Sequence, residues 1–210
     1  SFWSILGYCL IMAITINGSG TITGISAGGL PDGSVTAADL ASGAITAGAL
    51  PAGSILQVQS SVKLGSQVVN SASQVDITDL SVTITPASND SKIVVLYNVA
   101  MGLALNNVGA LYLVRGSTNL FVGNGEAATY PANQATTFGS FGLHNATIQS
   151  VAGAYVDDAH ASGGTSVTYK IQGRILATNN AFRVGRSWDV DNNSYRSMSS
   201  SSIVVMEVAG

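Results

Sequence analysis

Along residues 57 to 210 the apolar positions recur with the period of strands. Leu80, Val82 and Ile84 alternate with Ser81, Thr83 and Thr85 and stop at Pro86, which predicts a half-buried strand. Lys92 to Met101, with Ile93-Val94-Val95-Leu96-Tyr97 in succession, is apolar on both faces and predicts a central strand. Leu111 to Arg115 predicts another, and Gly116-Ser117-Thr118-Asn119 a turn into Leu120-Phe121-Val122. Thr147 to Val156 and Val167 to Leu176 follow, the second with Val167, Tyr169 and Ile171 on one side and Thr168, Lys170 and Gln172 on the other. Ile203-Val204-Val205-Met206 predicts a buried closing strand. Ser71-Ala72-Ser73-Gln74 has the form of a helix capping box, but Val75 and Ile77 continue in alternation rather than with helical period. Short strands separated by turn signals, without an amphipathic helix, predict an all-β, antiparallel β-sandwich of jelly-roll type.

Upstream the pattern changes to a repeat. Leu30-Pro31-Asp32-Gly33-Ser34-Val35-Thr36 returns as Leu40-Ala41-Ser42-Gly43-Ala44-Ile45-Thr46 and as Leu50-Pro51-Ala52-Gly53-Ser54-Ile55-Leu56, so leucine, glycine and a β-branched residue recur at every tenth position. Ordering ten residues costs on the order of 10–20 kcal/mol, while one leucine and one β-branched residue return only about 1.5–3 kcal/mol each when fully buried. A single copy cannot meet that cost, so the missing burial must come from other chains. The expectation is a thin extended rod, three copies of which wind about one axis with Leu30, Val35, Leu40, Ile45, Leu50 and Ile55 lining it. A flexible Gly/Ala/Ser linker is the bland alternative, but a linker has no need of large apolar residues in fixed register. The organisation expected is a docking segment over residues 1–28, a repeat stalk over 29–56 and a globular knob over 57–210.

Before the repeat, Thr15 to Ala27 places Ile14, Ile16 and Ile22 among Thr, Asn and three glycines, which predicts a strand with a tight turn or bulge. Gly18-Ser19-Gly20 lacks the Gly-Lys-Ser/Thr ending of a phosphate-binding loop. The apolar opening stretch contains Phe2, Trp3, Ile5, Leu6 and Tyr8; it is shorter than the ~20 residues of a membrane span and lacks the basic start of a signal peptide. It reads as a peptide docking into a partner or into the oligomer axis, or else as a leader or upstream extension, since Met12 would serve as a start.

Composition narrows the function. Only 9% of the 210 residues are charged against 46% hydrophobic, and glycine is abundant at 24. A net charge of −3 leaves no electrostatic footprint for nucleic acid, and Lys170, Arg174, Arg183, Arg186 and Arg196 read as scattered solvated charges. Cys9 is the sole cysteine, so neither a disulfide framework nor a thiolate metal cluster is available.

Candidate chemistry is thin. His144 and His160 have no metal-ligand spacing, and a triad assembled from His160, Asp157 and a serine has no nucleophile elbow. Asp157-Asp158 could pair for glycoside hydrolysis, but neighbours on a strand point to opposite faces, so a loop or rim position is the simpler reading. Asp189-Val190-Asp191-Asn192-Asn193 resembles a calcium loop but has Ser194 and Ser200 where an EF-hand needs Gly and Glu. Asn145-Ala146-Thr147 is a chance-level glycosylation triplet. No catalytic residue, metal or cofactor is expected. Arg183, Arg186, Trp188 and Tyr195 put aromatic faces beside charged groups, a combination used in sugar or protein recognition.

Two patterns together carry a resemblance. Met12-Ala13-Ile14-Thr15-Ile16-Asn17-Gly18-Ser19-Gly20-Thr21-Ile22-Thr23-Gly24, followed by Gly29-Leu30-Pro31-Asp32-Gly33 and the decapeptides, resembles the amino-terminal part of tail-fibre-like proteins of bacteriophages, notably aquatic ones. Leu80 to Pro86, Ser91 to Val95, Leu113 to Thr118, Thr168 to Gln172 and Val205 to Val208 look like the carboxy-terminal knob that accompanies such repeats. The resemblance implies a non-enzymatic homotrimeric virion protein on the particle surface. Its amino end would be anchored to other virion proteins of capsid or tail, and its knob displayed outward to meet a host surface glycan or protein. It does not separate a tail fibre from a capsid fibre or decoration protein, and residues 1 to 11 fall outside it. The competing expectations are a lectin-like carbohydrate-binding module and a polysaccharide depolymerase.

Overall fold

A computed structural model of the chain describes residues 15–16, 22–23, 35–104, 107–123, 135–139, 147–160, 162–176, 181–189 and 197–210. The chain divides into two compact units, Ser1–Thr46 and Ala47–Gly210.

In the first unit, strands β1 (Thr15–Ile16) and β2 (Ile22–Thr23) pair antiparallel, Ile16 opposite Ile22. A 3-10 turn at Ala37–Asp39 is closed by the Asp39 N–H donating to Thr36 O at 3.0 Å. The Asp39 carboxylate accepts from the Thr36 N–H at 2.8 Å and from the Thr36 hydroxyl at 2.7 Å, bonds that hold it below the usual carboxylate range. The Ala44 N–H then donates to Ala41 O at 2.9 Å across a turn with Gly43 at φ 79°.

The same local conformation recurs ten residues on, in the second unit. Ala47–Ala49 forms the 3-10 turn, the Ser54 N–H donates to Pro51 O at 3.1 Å, and Gly53 has φ 88°. A left-handed glycine at the third position of each tight turn is why glycine is fixed in the repeat. The described decapeptides thus alternate two kinds of turn rather than running as a plain extended strand.

The rest of the second unit is all-β, in two antiparallel sheets. Its strands are β3 (Ile55–Lys63), β4 (Gln67–Val69), β5 (Val75–Ile84), β6 (Lys92–Leu103), β7 (Gly109–Arg115), β8 (Thr118–Leu120), β9 (Thr137–Gly139), β10 (Gln149–Asp157), β11 (Val167–Ile175), β12 (Phe182–Val184) and β13 (Ser201–Val208). In the first sheet β6 is central: β10 pairs along one edge, β13 and then β12 along the other, with β3 outside β13 and β4 outside β12. The second sheet runs β5-β11-β7, with β9 and β8 sharing the far edge of β7.

One core joins the two sheets. Ile93, Val95, Tyr97 and Val99 of β6, with Ile203 and Val205 of β13, meet Leu80, Val82 and Ile84 of β5 and Tyr169 and Ile171 of β11. Phe182 of β12 fills the space left by two glycines, since a Cβ would stand 2.6 Å from its ring at Gly109 and 2.8 Å from it at Gly173. The predicted extension through Phe121 ends at Leu120, because Phe121 adopts φ 53° and leaves its side chain 56% exposed.

Over β5 and β11 the second sheet turns a polar outer face to water, while on β7 the outward Ala110, Tyr112 and Val114 are buried with Ala135. Thr83 and Thr168 hydroxyls meet at 2.8 Å, Thr85 and Ser166 at 2.7 Å, and Asp76 accepts from Lys170 and Gln172 across β5 and β11. Between the sheets lies a buried carboxylate. Glu207 of β13 accepts from Gln57 Nε2 at 2.6 Å, the Ala87 N–H at 2.7 Å and the Ser91 hydroxyl at 2.6 Å. Burial pushes its carboxyl up, but those hydrogen bonds, with one from the Ser88 backbone, outweigh burial and hold it below the usual range.

Candidate interaction surface

The repeat supplies the clearest unsatisfied surface. Val35, Leu40, Ile45, Leu50 and Ile55 are 52%, 45%, 55%, 38% and 59% exposed. Within one copy of the chain these large side chains of the repeat therefore stay about half exposed. Scattered exposed apolar residues are ordinary, but these recur at a five-residue spacing, Val35 to Leu40 to Ile45 to Leu50 to Ile55, and carry the repeat itself. Leu30 and the docking residues Phe2, Trp3, Ile5, Leu6 and Tyr8 lie outside the described residues.

The end of the repeat is built into the second unit. The Gly53 N–H donates to Ala209 O and the Ala209 N–H to Ser54 O, both at 2.8 Å, and Ile55 already opens β3 opposite Val208. The expected stalk boundary at residue 56 thus falls inside a strand, and the last decapeptide is hydrogen-bonded to the carboxy-terminal strand.

The recognition residues fall on β12 and the segment after it, where Tyr195 lies outside the described residues. The Arg183 guanidinium stacks 5.4 Å from the centre of the Trp188 ring while its Nε donates to Trp188 O at 3.1 Å. One aromatic face expected to greet a ligand is thus covered from within the chain. Arg186 bridges to Met198, and the carbonyl of Arg186 sits so close over Gly102 that a Cβ there would collide with it. This segment closes over the end of β6.

Other polar residues resolve into structural contacts. Asp157 is buried at the end of β10, not on a rim: Arg115 donates to its two oxygens at 2.7 and 2.8 Å and the Tyr169 hydroxyl at 2.7 Å. Burial and this carboxylate push the Tyr169 phenol well above its ordinary range. His160 Nε2 lies 2.6 Å from Ser91 O; a carbonyl only accepts, so that nitrogen carries the proton. Beside them a shallow depression of about 550 Å³ is edged by Ser117, Thr118, Ser166 and Thr168, with the Arg115 charge already met by Asp157. The basic residues read as freely solvated are engaged as well: Lys170 pairs with Asp76 at 2.8 Å and Arg174 stacks on Tyr112 at 5.9 Å. Among the described residues no three His, Cys, Asp or Glu side chains gather to hold a metal ion, and no helix is long and apolar enough to cross a membrane.

Comparison adds little to this geometry. No family model matches the chain, and no curated protein matches it. Among solved structures, dimeric latent PorU from Porphyromonas gingivalis is similar with a TM-score of 0.29 and 8% identity, over 79% of this chain and 14% of that one. The chain spans about a seventh of that protein's length, and a likeness of this degree carries no argument for function.

Proposed function

We propose that the chain is a non-enzymatic structural protein of a bacteriophage particle, a homotrimeric fibre displayed on the virion surface as a tail fibre or a capsid fibre or decoration. In this reading residues 1–28 dock it to other virion proteins, the decapeptides form the shaft shared by three chains, and the β-sandwich, of jelly-roll type, is the knob that meets the host surface. The observation that carries it is the exposure of Val35, Leu40, Ile45, Leu50 and Ile55, which recur every five residues in a sequence whose local turns a loose tether would not need. The order of repeat and β-rich globule is also that of the tail-fibre-like proteins the sequence resembles. Carbohydrate recognition through Trp188 draws less support, since Arg183 stacks on that ring.

Two measurements test the reading. Light scattering of the full chain is expected to give the mass of three copies, and Leu40→Asp to lower it to one while the circular dichroism of the β-rich unit is retained. A wild-type chain that is monomeric at every accessible concentration would refute it. Cryo-electron microscopy of intact particles is expected to place the amino end on capsid or tail; absence of the protein from purified particles removes the virion assignment.

A further inference from the structure

We infer that the outer face of the first sheet is a second contact surface between copies of this chain. The inference rests on the trimeric reading above and extends it from the repeat to the globular unit.

The register of the sheet assembles the surface. Residues directly opposite one another on antiparallel strands share a face, so Val156 of β10, Val94 of β6, Met206 of β13 and Val58 of β3 stand in one row across four strands. The next row centres on Leu96 and Val204, flanked by Ala154 and Ser60. Val156 and Val58 are each 52% exposed and Leu96 39%, and neither row contains a charge. A solvated sheet face should look like the hydroxyl and ion-pair face that β5 and β11 present, and these two rows do not, although the next row turns polar at Asn98 and Ser202.

Strand β3 makes the point most sharply, because its polarity is inverted. Its inward residues are polar: Gln57 donates to Glu207, the Ser61 hydroxyl to Asp79 O and Lys63 Nζ to Thr78 Oγ1. Its outward residues Ile55, Val58 and Val62 are apolar and 59%, 52% and 51% exposed. A strand that keeps its amides and its lysine inside and its valines outside has its dry side beyond its own globule.

Area and continuity identify the occupant as another copy. Strands about 4.8 Å apart and rows about 7 Å apart give these two rows a footprint of roughly 270 Å², within the few hundred Å² that contiguous exposed apolar patches reach. That is about a third of the ~800 Å² per partner of an ordinary stable interface, so this face needs a second contact made at the same time. The repeat provides it: Ile55 is at once the last β-branched residue of the decapeptides and, opposite Val208, a member of this face. The two rows carry no charge, and in the adjoining row of Ile55 and Val208 the one charge is Lys92 of β6, so a partner of opposite charge or a lipid headgroup would find little to read.

The test uses the full chain in a dilution series followed by light scattering. The double variant Leu96→Asp with Val204→Asp is expected to dissociate at a concentration at least about tenfold higher than wild type, with unchanged circular dichroism. Should it not fold, Leu96→Ser with Val204→Ser is expected to shift the midpoint in the same direction. An unchanged midpoint in a folded variant, while Leu40→Asp still gives monomers, overturns this inference and leaves the shaft reading standing. A hydrophobic dye bound by the wild-type oligomer and lost in the double variant would mean that the face is open to a foreign partner, and also overturns it.

Discussion

Replacing Glu207 by Gln tests whether the buried carboxylate, rather than the sheet pairing alone, fastens β3 and the Ala87–Ser91 loop to β13. Every group aimed at it is a donor: Gln57 Nε2, the Ala87 N–H and the Ser91 hydroxyl. Glutamine can still accept from Ala87 and Ser91, but its amide nitrogen then faces the Gln57 amide nitrogen. Gln57 cannot simply turn over, because the same Nε2 donates to Thr85 O at 2.7 Å. One charge-assisted bond, about 1.5–3 kcal/mol, is lost and two others fall to neutral strength, so the expected loss is about 3 kcal/mol, or roughly 6–12 °C in a unit of this size. The pH dependence follows from the depressed carboxyl: its stabilisation is complete above the ordinary glutamate value of about 4.3 and is lost as pH falls through the lower value of the folded state. Urea unfolding at fixed protein concentration, followed by tryptophan fluorescence, should show the full difference at neutral pH and a much smaller one at about pH 3. A difference under about 0.5 kcal/mol at neutral pH, the size of an indifferent surface change, or one undiminished in acid, would refute the clamp.

Two further outcomes separate backbone from side-chain causes. Gly53→Ala is expected to cost about 1–2 kcal/mol by unfolding, because Gly53 has φ 88° although a Cβ would meet nothing within 4 Å; Gly48→Ala, equally open and without positive φ, should cost less than half as much. Arg115→Met is expected to destabilise by about 3 kcal/mol in the same assay, since it leaves the buried Asp157 carboxylate without the cation that contacts both its oxygens, and Asp157→Asn, which leaves the more exposed Arg115, should cost less than Arg115→Met.

Much of the strand framework was legible because burial imposes the period. The expected strands at Leu111–Arg115, Val167–Leu176 and Ile203–Met206 appear within two residues at either end as β7, β11 and β13. Lys92–Met101, apolar on both faces, is the central strand β6. β3 was not legible for the opposite reason: its apolar residues face outward, so alternation in Gln57 to Lys63 gives no sign of a core face. β4, β9 and β12 are three residues each, too short for a period to show. The pairing of Asp157 with Arg115 joins residues 42 apart and is set by how β7 and β10 cross the two sheets, which local sequence does not encode. The repeat residues were found by spacing alone, whereas the Arg183–Trp188 stack depends on the path of the chain after β12.

In the proposed trimer, folding and association draw on separate residues. The second unit encloses Ile93, Leu113, Tyr169 and Ile203 without help from another molecule, so its strands have a core of their own. Val35, Leu40 and Ile45 have none, since half or nearly half of each remains exposed. On the proposed reading, the burial absent within one copy comes from contact between copies and offsets the cost of ordering the turns of the repeat. Loss of assembly should therefore loosen the decapeptides and spare the sheets, whereas loss of the Glu207 clamp should strike the sheet first, at β3. The low charge content fits the same division: with 9% of residues charged, the β5–β11 face is kept wet by hydroxyls and a paired lysine, while on the first sheet Val94, Leu96, Val204 and Met206 form two apolar rows between Lys92 on one side and Asn98 and Ser202 on the other.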